Sequence, residues 1–347
     1  MKTRLLPPDP DAMQYAASLL KEGGLVAFPT ETVYGLGANA LDEQAVLSIF
    51  AAKERPADNP LIVHISQMDD LPALCRVNDK AKRLMDAFWP GPLTLLLPKT
   101  EAVPSVVTAG LPTVAVRMPS HPVAKALLDA CRCPVAAPSA NRSGRPSPTL
   151  AEHVLEDMAG RIPLILDGGP CSVGLESTVV DMTRDIPLVL RPGGVTPQML
   201  TQVIGPIETA SSVLKPLAPG ETAPSPGMRH RHYAPRGVLT LVSGKPENVC
   251  AAIVKLYDEA AAQEKSTCIL SCSEHVSKYG SRYVLDIGSL NHPEEVGVRL
   301  FDLLRRMDRE GIVCIFSEVV EANGLGLAIM NRLNRAASFR IIDADKA

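Results

Sequence analysis

Leu25-Val26-Ala27-Phe28-Pro29-Thr30-Glu31-Thr32-Val33-Tyr34-Gly35-Leu36-Gly37 opens as a short apolar run and continues as a polar segment. Its first four residues have the length and composition of a buried strand. Two threonines, a carboxylate and two glycines leaving such a strand are what a ligand-contact loop needs. Glycines there let backbone N–H groups approach an anion closely. The spacing Gly35-Leu36-Gly37-Ala38-Asn39-Ala40 has a superficial likeness to the dinucleotide fingerprint. Its glycines lie several residues past the strand and the next helix starts later, which argues against a dinucleotide role.

Helix and strand patterns alternate outward from this segment. Residues 11–22 form an amphipathic pattern closed by Gly23-Gly24, and Asp42 opens a second helix reaching to about Glu54. Strands are expected at 61–65, 93–97, 113–117, 135–137, 164–166, 178–181 and 188–190, with helices at 79–88, 122–130 and 150–158. The mixture implies an α/β domain over 1–207. Residues 208–236 are rich in proline and glycine and read as an interdomain linker, although Met228-Arg229-His230-Arg231-His232-Tyr233 carries more functional side chains than a spacer needs. From 237 to 347, strands at 238–242, 268–270, 283–285 and 312–316 alternate with helices at 246–263, 294–309 and 325–335. That alternation predicts a small Rossmann-like parallel domain.

Composition excludes several function classes. The 347 residues are 46% hydrophobic and 21% charged with a formal net charge of -3, which gives no support for a nucleic-acid-coating surface. Aromatic residues, at 4%, are too few for a single-strand stacking platform. Met1 to Pro8 lacks the apolar core of a signal peptide and no apolar run is long enough to span a bilayer, so a cytoplasmic protein without membrane association is expected. The eight cysteines read as reduced thiols, and neither Cys131-Arg132-Cys133 nor Cys268/Cys272 has zinc-site spacing, so no metal ligands are assigned.

Further clusters could carry chemistry. Lys53 and Arg55 end the second helix, where they can converge on one polyanion or simply compensate the helix C-terminus. Asn59 follows, and His64 lies inside an apolar run, the usual setting of a core histidine. Arg117 ends an apolar strand begun by Thr113 and must find an anion, either a structural carboxylate or a substrate's. Ala137-Pro138-Ser139-Ala140-Asn141, Ser147, Glu176-Ser177-Thr178 and Arg191-Pro192-Gly193-Gly194 sit at strand–loop junctions. Each alone reads equally as a turn or cap. Together they offer cations and hydroxyls but few carboxylates, which suits phosphoryl or nucleotidyl transfer.

These motifs resemble the YrdC-type domain of the threonylcarbamoyl-AMP synthase family. The carriers are the 29–37 segment, the Lys53-x-Arg55 pair, Ser139-x-Asn141 and Glu176-Ser177-Thr178. Ser225 to Pro235 resembles the linker of the long, two-domain form. The resemblance implies a nucleotidyltransferase that joins L-threonine, bicarbonate and ATP, with Mg²⁺, into threonylcarbamoyl-AMP and pyrophosphate for tRNA modification. It places Thr32, His64, Arg117, the Ala137 backbone and Ser177 around L-threonine, with Arg117 on the carboxylate. It places Lys53, Arg55, Asn59, Thr113, Ser139, Asn141, Ser147 and Arg191 around ATP, with Lys53 and Arg55 catalytic. The linker would fold over the cleft as a lid, with Tyr233 on the nucleotide and His232 nearby. The product would pass to a threonylcarbamoyl transferase complex, so that tRNA is met only indirectly.

Two other readings compete: an RNA-binding module, disfavoured by charge and aromatic content, and a carbamoyltransferase acting on another small amine. His230 and His232 have incidental metal binding as an alternative. Gly324-Leu325-Gly326, ahead of the last helix, is either an anion site or a turn.

Overall fold

The computed structural model describes residues 1–215 and 233–346, which fold as two compact units. The first comprises Met1–Ser143 and Ser147–Val213; the second comprises Gly144–Pro146, residues 214–215 and the described residues from Tyr233 onward. Among the described residues no helix is long and apolar enough to cross a membrane.

The first unit runs β1 (Arg4–Leu6), α1 (Pro10–Lys21), β2 (Val26–Phe28), β3 (Gly35–Asn39), α2 (Glu43–Lys53), β4 (Ile62–His64), α3 (Leu71–Leu74), α4 (Asp79–Phe88), β5 (Leu93–Pro98), α5 (Ser105–Thr108), β6 (Thr113–Arg117) and α6 (Pro122–Cys131). It continues with β7 (Val135–Ala136), α7 (Ala151–Met158), β8 (Leu164–Leu166), β9 (Thr178–Asp181), β10 (Leu188–Arg191), α8 (Pro197–Ile204) and β11 (Glu208–Thr209). Side-chain caps fix where the helices start. Asp9 accepts from the Ala12 N–H, Asp42 from Gln44 and Ala45, Asn78 from Ala81 and Thr196 from Met199.

The strands form one mixed sheet in the order β1-β8-β2-β3-β7-β4-β6-β5-β9-β10-β11. Alternation along the strands divides the core. Val26, Phe28, Leu164 and Leu166 pack with Ala16, Leu20, Leu127 and Leu128 of α1 and α6. Ala27, Ile165, Val63, Val116 and Leu95 belong to the larger core with Val46, Ile49, Leu84 and Val154. On the opposite face of the central strands lies a small apolar cluster of Ile62, Leu96, Ala115, Val179 and Leu190. Period-two alternation puts Thr113 and Arg117 on that same face, together with His64 and Thr94.

The 35–39 segment is a strand, whereas its glycines suggested a loop. Gly35, Leu36 and Gly37 pair antiparallel with Phe28, Ala27 and Val26. A Cβ on Gly37 would meet the Phe28 ring and Val135 Cγ1, both at 2.8 Å. The glycine is required by close strand packing rather than by an anion.

The second unit has β12 (Val238–Ser243), α9 (Pro246–Ala261), β13 (Thr267–Cys272), β14 (Val284–Gly288), α10 (Pro293–Arg309), β15 (Cys314–Glu318), α11 (Gly326–Ala336) and β16 (Ile341–Asp343). Its sheet is wholly parallel in the order β14-β13-β15-β12-β16. The strand expected at 312–316 lies two residues further on. Its polar end is kept inside because Glu318 accepts from Ser271 Oγ (2.8 Å) and Tyr279 OH (2.7 Å) and lies 2.6 Å from His275 Nδ1. Gly324-Leu325-Gly326 makes a turn: a Cβ on Gly326 would fall 2.0 Å from the Glu321 carbonyl oxygen.

Candidate active site

Three adjacent strands bring His64, Arg117 and Thr94 into one row, since Arg117 of β6 is paired with His64 on β4 and with Thr94 on β5. Arg117 is buried at the strand end and its guanidinium is held at each of its three nitrogens. Nε donates to the Gly91 carbonyl (3.3 Å), Nη1 to Thr32 Oγ1 (2.8 Å), and Nη2 lies 2.7 Å from Glu31 Oε1. Thr32 is set by a compact turn in which Thr30 Oγ1 donates to the Val33 carbonyl (2.7 Å) and shares a 2.8 Å hydroxyl contact with Thr32. The structural carboxylate that Arg117 needed is Glu31, three residues past β2.

Glu31 is a residue the sequence reading left unassigned, although it lies inside the segment that decided the fold. Burial is the largest influence and raises its pKa, but the Arg117 charge and hydrogen bond, together with backbone N–H groups, outweigh it and hold the pKa below the ordinary value. His64 is pushed down to about 3 by burial and by Arg117, so it is a neutral imidazole across the physiological range. Among the described residues its Nδ1 has no hydrogen-bond partner.

Thr94 continues the row. Its hydroxyl lies 2.7 Å from Ser177 Oγ, and Arg191 donates to the Ser177 carbonyl from Nε (3.0 Å) and to its hydroxyl from Nη2 (3.2 Å). Ser177 therefore connects the Arg117 row to the end of β10. Thr113 opens β6 on the same face as Arg117, about 13 Å away at strand rise. The Ala137 N–H is committed to the Ile62 carbonyl (2.9 Å).

Lys53, the last residue of α2, is buried and reaches the loop after β7. Its Nζ donates to the Ser139 carbonyl, to the Asn141 carbonyl (2.6 Å) and to Asn141 Oδ1 (3.5 Å). Glu54 then takes the left-handed conformation (φ 53°), turning the chain so that Arg55 points back toward the Asn59 carbonyl (Nη2, 3.1 Å). The Glu54 carboxylate pairs outside with Arg142 and Arg161. Asn59 is buried, and among the described residues its Oδ1 has no hydrogen-bond partner. Ser147 donates to the buried carboxylate of Glu176. Buried polar atoms are nearly always satisfied in folded proteins, so His64 Nδ1 and Asn59 Oδ1 are available to meet a bound group.

Tyr233 belongs to the second unit, where its ring stacks on Phe301 at 5.2 Å and lies 6.0 Å from the Arg332 guanidinium carbon. His230 and His232 lie outside the described residues. All eight cysteines are free thiols, and six are buried. Among the described residues no group of three or more His, Cys, Asp or Glu is placed to hold a metal ion.

Comparison with known proteins accords with this arrangement. Residues 18–193 match the Sua5/YciO/YrdC family profile, described as telomere recombination. Residues 195–338 match the profile of the threonylcarbamoyl-AMP synthase C-terminal domain. Threonylcarbamoyl-AMP synthase of Pyrococcus abyssi is 48% identical over 95% of each chain. That of Bacillus subtilis is 48% identical over 96% of this chain and 95% of its own. The crystal structure of P. abyssi Sua5 complexed with L-threonine matches with a TM-score of 0.91 at 46% identity, covering 99% of this chain and 98% of the other. By profile, identity and fold, the chain belongs to the threonylcarbamoyl-AMP synthase family, whose members are nucleotidyltransferase enzymes.

Proposed function

We propose that the chain joins L-threonine, bicarbonate and ATP into threonylcarbamoyl-AMP and pyrophosphate, the activated intermediate for threonylcarbamoyladenosine in tRNA. The observation that carries this reading is the buried row His64, Arg117 and Thr94, with Thr32 at one end and Ser177 at the other. A guanidinium beside hydroxyls and a neutral imidazole suits a small hydroxy amino acid, with the carboxylate on Arg117. The threonine complex of the P. abyssi relative supports the same ligand here.

ATP would lie along Lys53, Arg55, Asn59, Thr113, Ser139, Asn141, Ser147 and Arg191. The threonine ammonium loses a proton, and the neutral amine forms a C–N bond either to carbon dioxide, releasing a second proton, or to bicarbonate, with a C–O bond breaking and water leaving, to yield a carbamate. A carbamate oxygen then forms a bond to the α-phosphorus as the bond to pyrophosphate breaks. Lys53, Arg55 and Arg191 offset the charge that builds on phosphate oxygens. With its pKa near 3, His64 serves as a hydrogen-bonding group rather than as a proton acceptor.

Mg²⁺ fits as a cation delivered with the nucleotide, since such ions keep waters and phosphate ligands and need only one or two carboxylates. Glu176, buried beside Ser147, is the carboxylate that would hold it. When bound, Mg²⁺ would neutralise phosphate charge.

Pyrophosphate release from ATP, measured with and without L-threonine and bicarbonate, tests the reading. Release that requires both co-substrates is expected. Release independent of threonine, or equal with other small amines, would favour a different carbamoyl acceptor. The adenylate is expected to pass to a threonylcarbamoyl transferase complex, so that tRNA is reached indirectly.

A further inference from the structure

We propose that Glu31 is a specificity-determining residue: by neutralising Arg117 inside the buried row, it makes the pocket select a zwitterionic amino acid over a monoanionic acid of the same shape. This rests on the reading of the row as the L-threonine site.

The argument begins with burial. The side chains of Glu31 and Arg117 are 7% and 4% exposed and lie 2.7 Å apart, so water screens neither charge well. Arg117 by itself would make the row a cationic hole, and such a hole prefers whichever ligand brings the most negative charge. With Glu31 present, the pair has no net charge. The groups around it add none: His64 is neutral, and the Cys171 thiol is pushed up to about 12 by burial and Glu31. His121, half-buried on the Glu31 side, is held below its ordinary pKa by burial. Arg191, beyond Ser177 in the row, is directed at the Ser177 carbonyl and hydroxyl.

A ligand entering this row trades its hydration for these fixed charges. A zwitterion brings a carboxylate for Arg117 and an ammonium for the field of Glu31. A hydroxy acid brings an uncompensated negative charge next to a buried carboxylate and nothing to balance it. Glu31 is also anchored well enough to act in place. Its own carbonyl accepts from the Val173 N–H (2.8 Å), which ties it to the segment leading to Ser177. The pocket thereby rejects the deaminated analogues of its substrate before any chemistry begins.

The test compares two ligands by calorimetry on the full chain: L-threonine, and the dihydroxybutanoate of matching configuration in which a hydroxyl replaces the amine. Wild-type protein is expected to bind L-threonine at least ~10-fold more tightly. Equal affinities would overturn the proposal without recourse to any variant. In Glu31→Gln the ratio is expected to fall about tenfold or more, toward one or below it, as the row becomes cationic. A Glu31→Gln protein that keeps its thermal transition and weakens both ligands by the same factor, leaving the ratio intact, assigns Glu31 a structural role and overturns the proposal. Glu31→Asp keeps the charge and is expected to keep the ratio; a collapse there would also count against it. Wild-type protein that binds neither ligand overturns the threonine reading itself, an outcome distinct from binding L-threonine without selectivity.

Discussion

The Lys53 ammonium lies 2.6 Å from the backbone carbonyl of Asn141, so a buried charge ties the end of α2 to the loop after β7. The Ser143 N–H returns the connection by donating to the Lys53 carbonyl (3.1 Å). The pair brings two motifs far apart in sequence together: one supplies the cation and the other the oxygens that aim it.

Replacing Lys53 with alanine should therefore do two things. Unpairing the buried Asn141 carbonyl and the partly buried Ser139 carbonyl is expected to cost about 1–3 kcal/mol of stability, read by thermal unfolding. Loss of the charge is expected to lower pyrophosphate release by about 10²- to 10³-fold. Lys53→Arg should not restore the rate, because a planar fork cannot direct its donors as a rotating ammonium does. Full activity in Lys53→Arg would contradict this geometry.

Gly193 is where the end of β10 meets the start of β9. A Cβ there would fall 2.5 Å from the Thr178 nitrogen and 2.6 Å from the Glu176 carbonyl oxygen. Both are backbone atoms, so Gly193→Ala must push the two segments apart. A loss of about 1–3 kcal/mol in stability is expected, with reduced pyrophosphate release because Glu176 and Ser177 shift. A variant that unfolds like the wild type would show that the contact relaxes freely.

His64 sets a pH signature. Its folded pKa of about 3 lies below the ordinary value, so the unfolded chain binds the proton first. Its contribution to stability is complete above about pH 6.5 and is lost as pH falls from there toward 3, at no more than about 1.4 kcal/mol per pH unit. The depressed Glu31 carboxylate acts lower: its contribution is present above the ordinary Glu pKa and disappears as pH falls through the folded value. Thermal unfolding of His64→Gln between pH 7 and 5 should show a flatter dependence than the wild type (about one proton's worth). Parallel curves would place the acid sensitivity elsewhere.

Thr94 touches Ser177 and is register-paired with Arg117, yet no sequence motif contains it. Thr94→Val keeps the shape and removes the hydroxyl. KM for L-threonine should rise about 2- to 10-fold, the worth of one neutral hydrogen bond, with kcat changed less. An unchanged KM would show that Ser177 is held by Arg191 alone.

In the second unit, Glu318→Ala would strip Ser271, Tyr279 and His275 of their shared carboxylate. A loss of about 2–4 kcal/mol is expected from the unpaired buried groups, visible as a lowered unfolding transition in calorimetry. No change would mean that water replaces the carboxylate.

Much of this architecture was legible in the chain. Apolar runs of strand length and capped helices at 79–88, 113–117, 164–166 and 178–181 lie where their patterns placed them, because each element's own side chains decide its burial. Strands whose ends are polar were harder to read. Ser317 and Glu318 look like the start of a loop until Ser271, His275 and Tyr279 are known to surround them. Gly35 and Gly37 look like loop residues until the Phe28 ring and Val135 are seen to need the space.

By itself the sequence determined the α/β class of both units, the ordered motif set and the family, since these depend on residue type and local spacing. Only the tertiary structure decided what the motifs do to one another. It made Glu31 the partner of Arg117, aimed Lys53 at the 139–141 loop, and set His64, Arg117 and Thr94 in one row across three strands. The physical reason is that strand register and burial act between distant segments. A side chain's charge state and hydrogen-bond partners follow from its neighbours in space, which its neighbours along the chain do not specify.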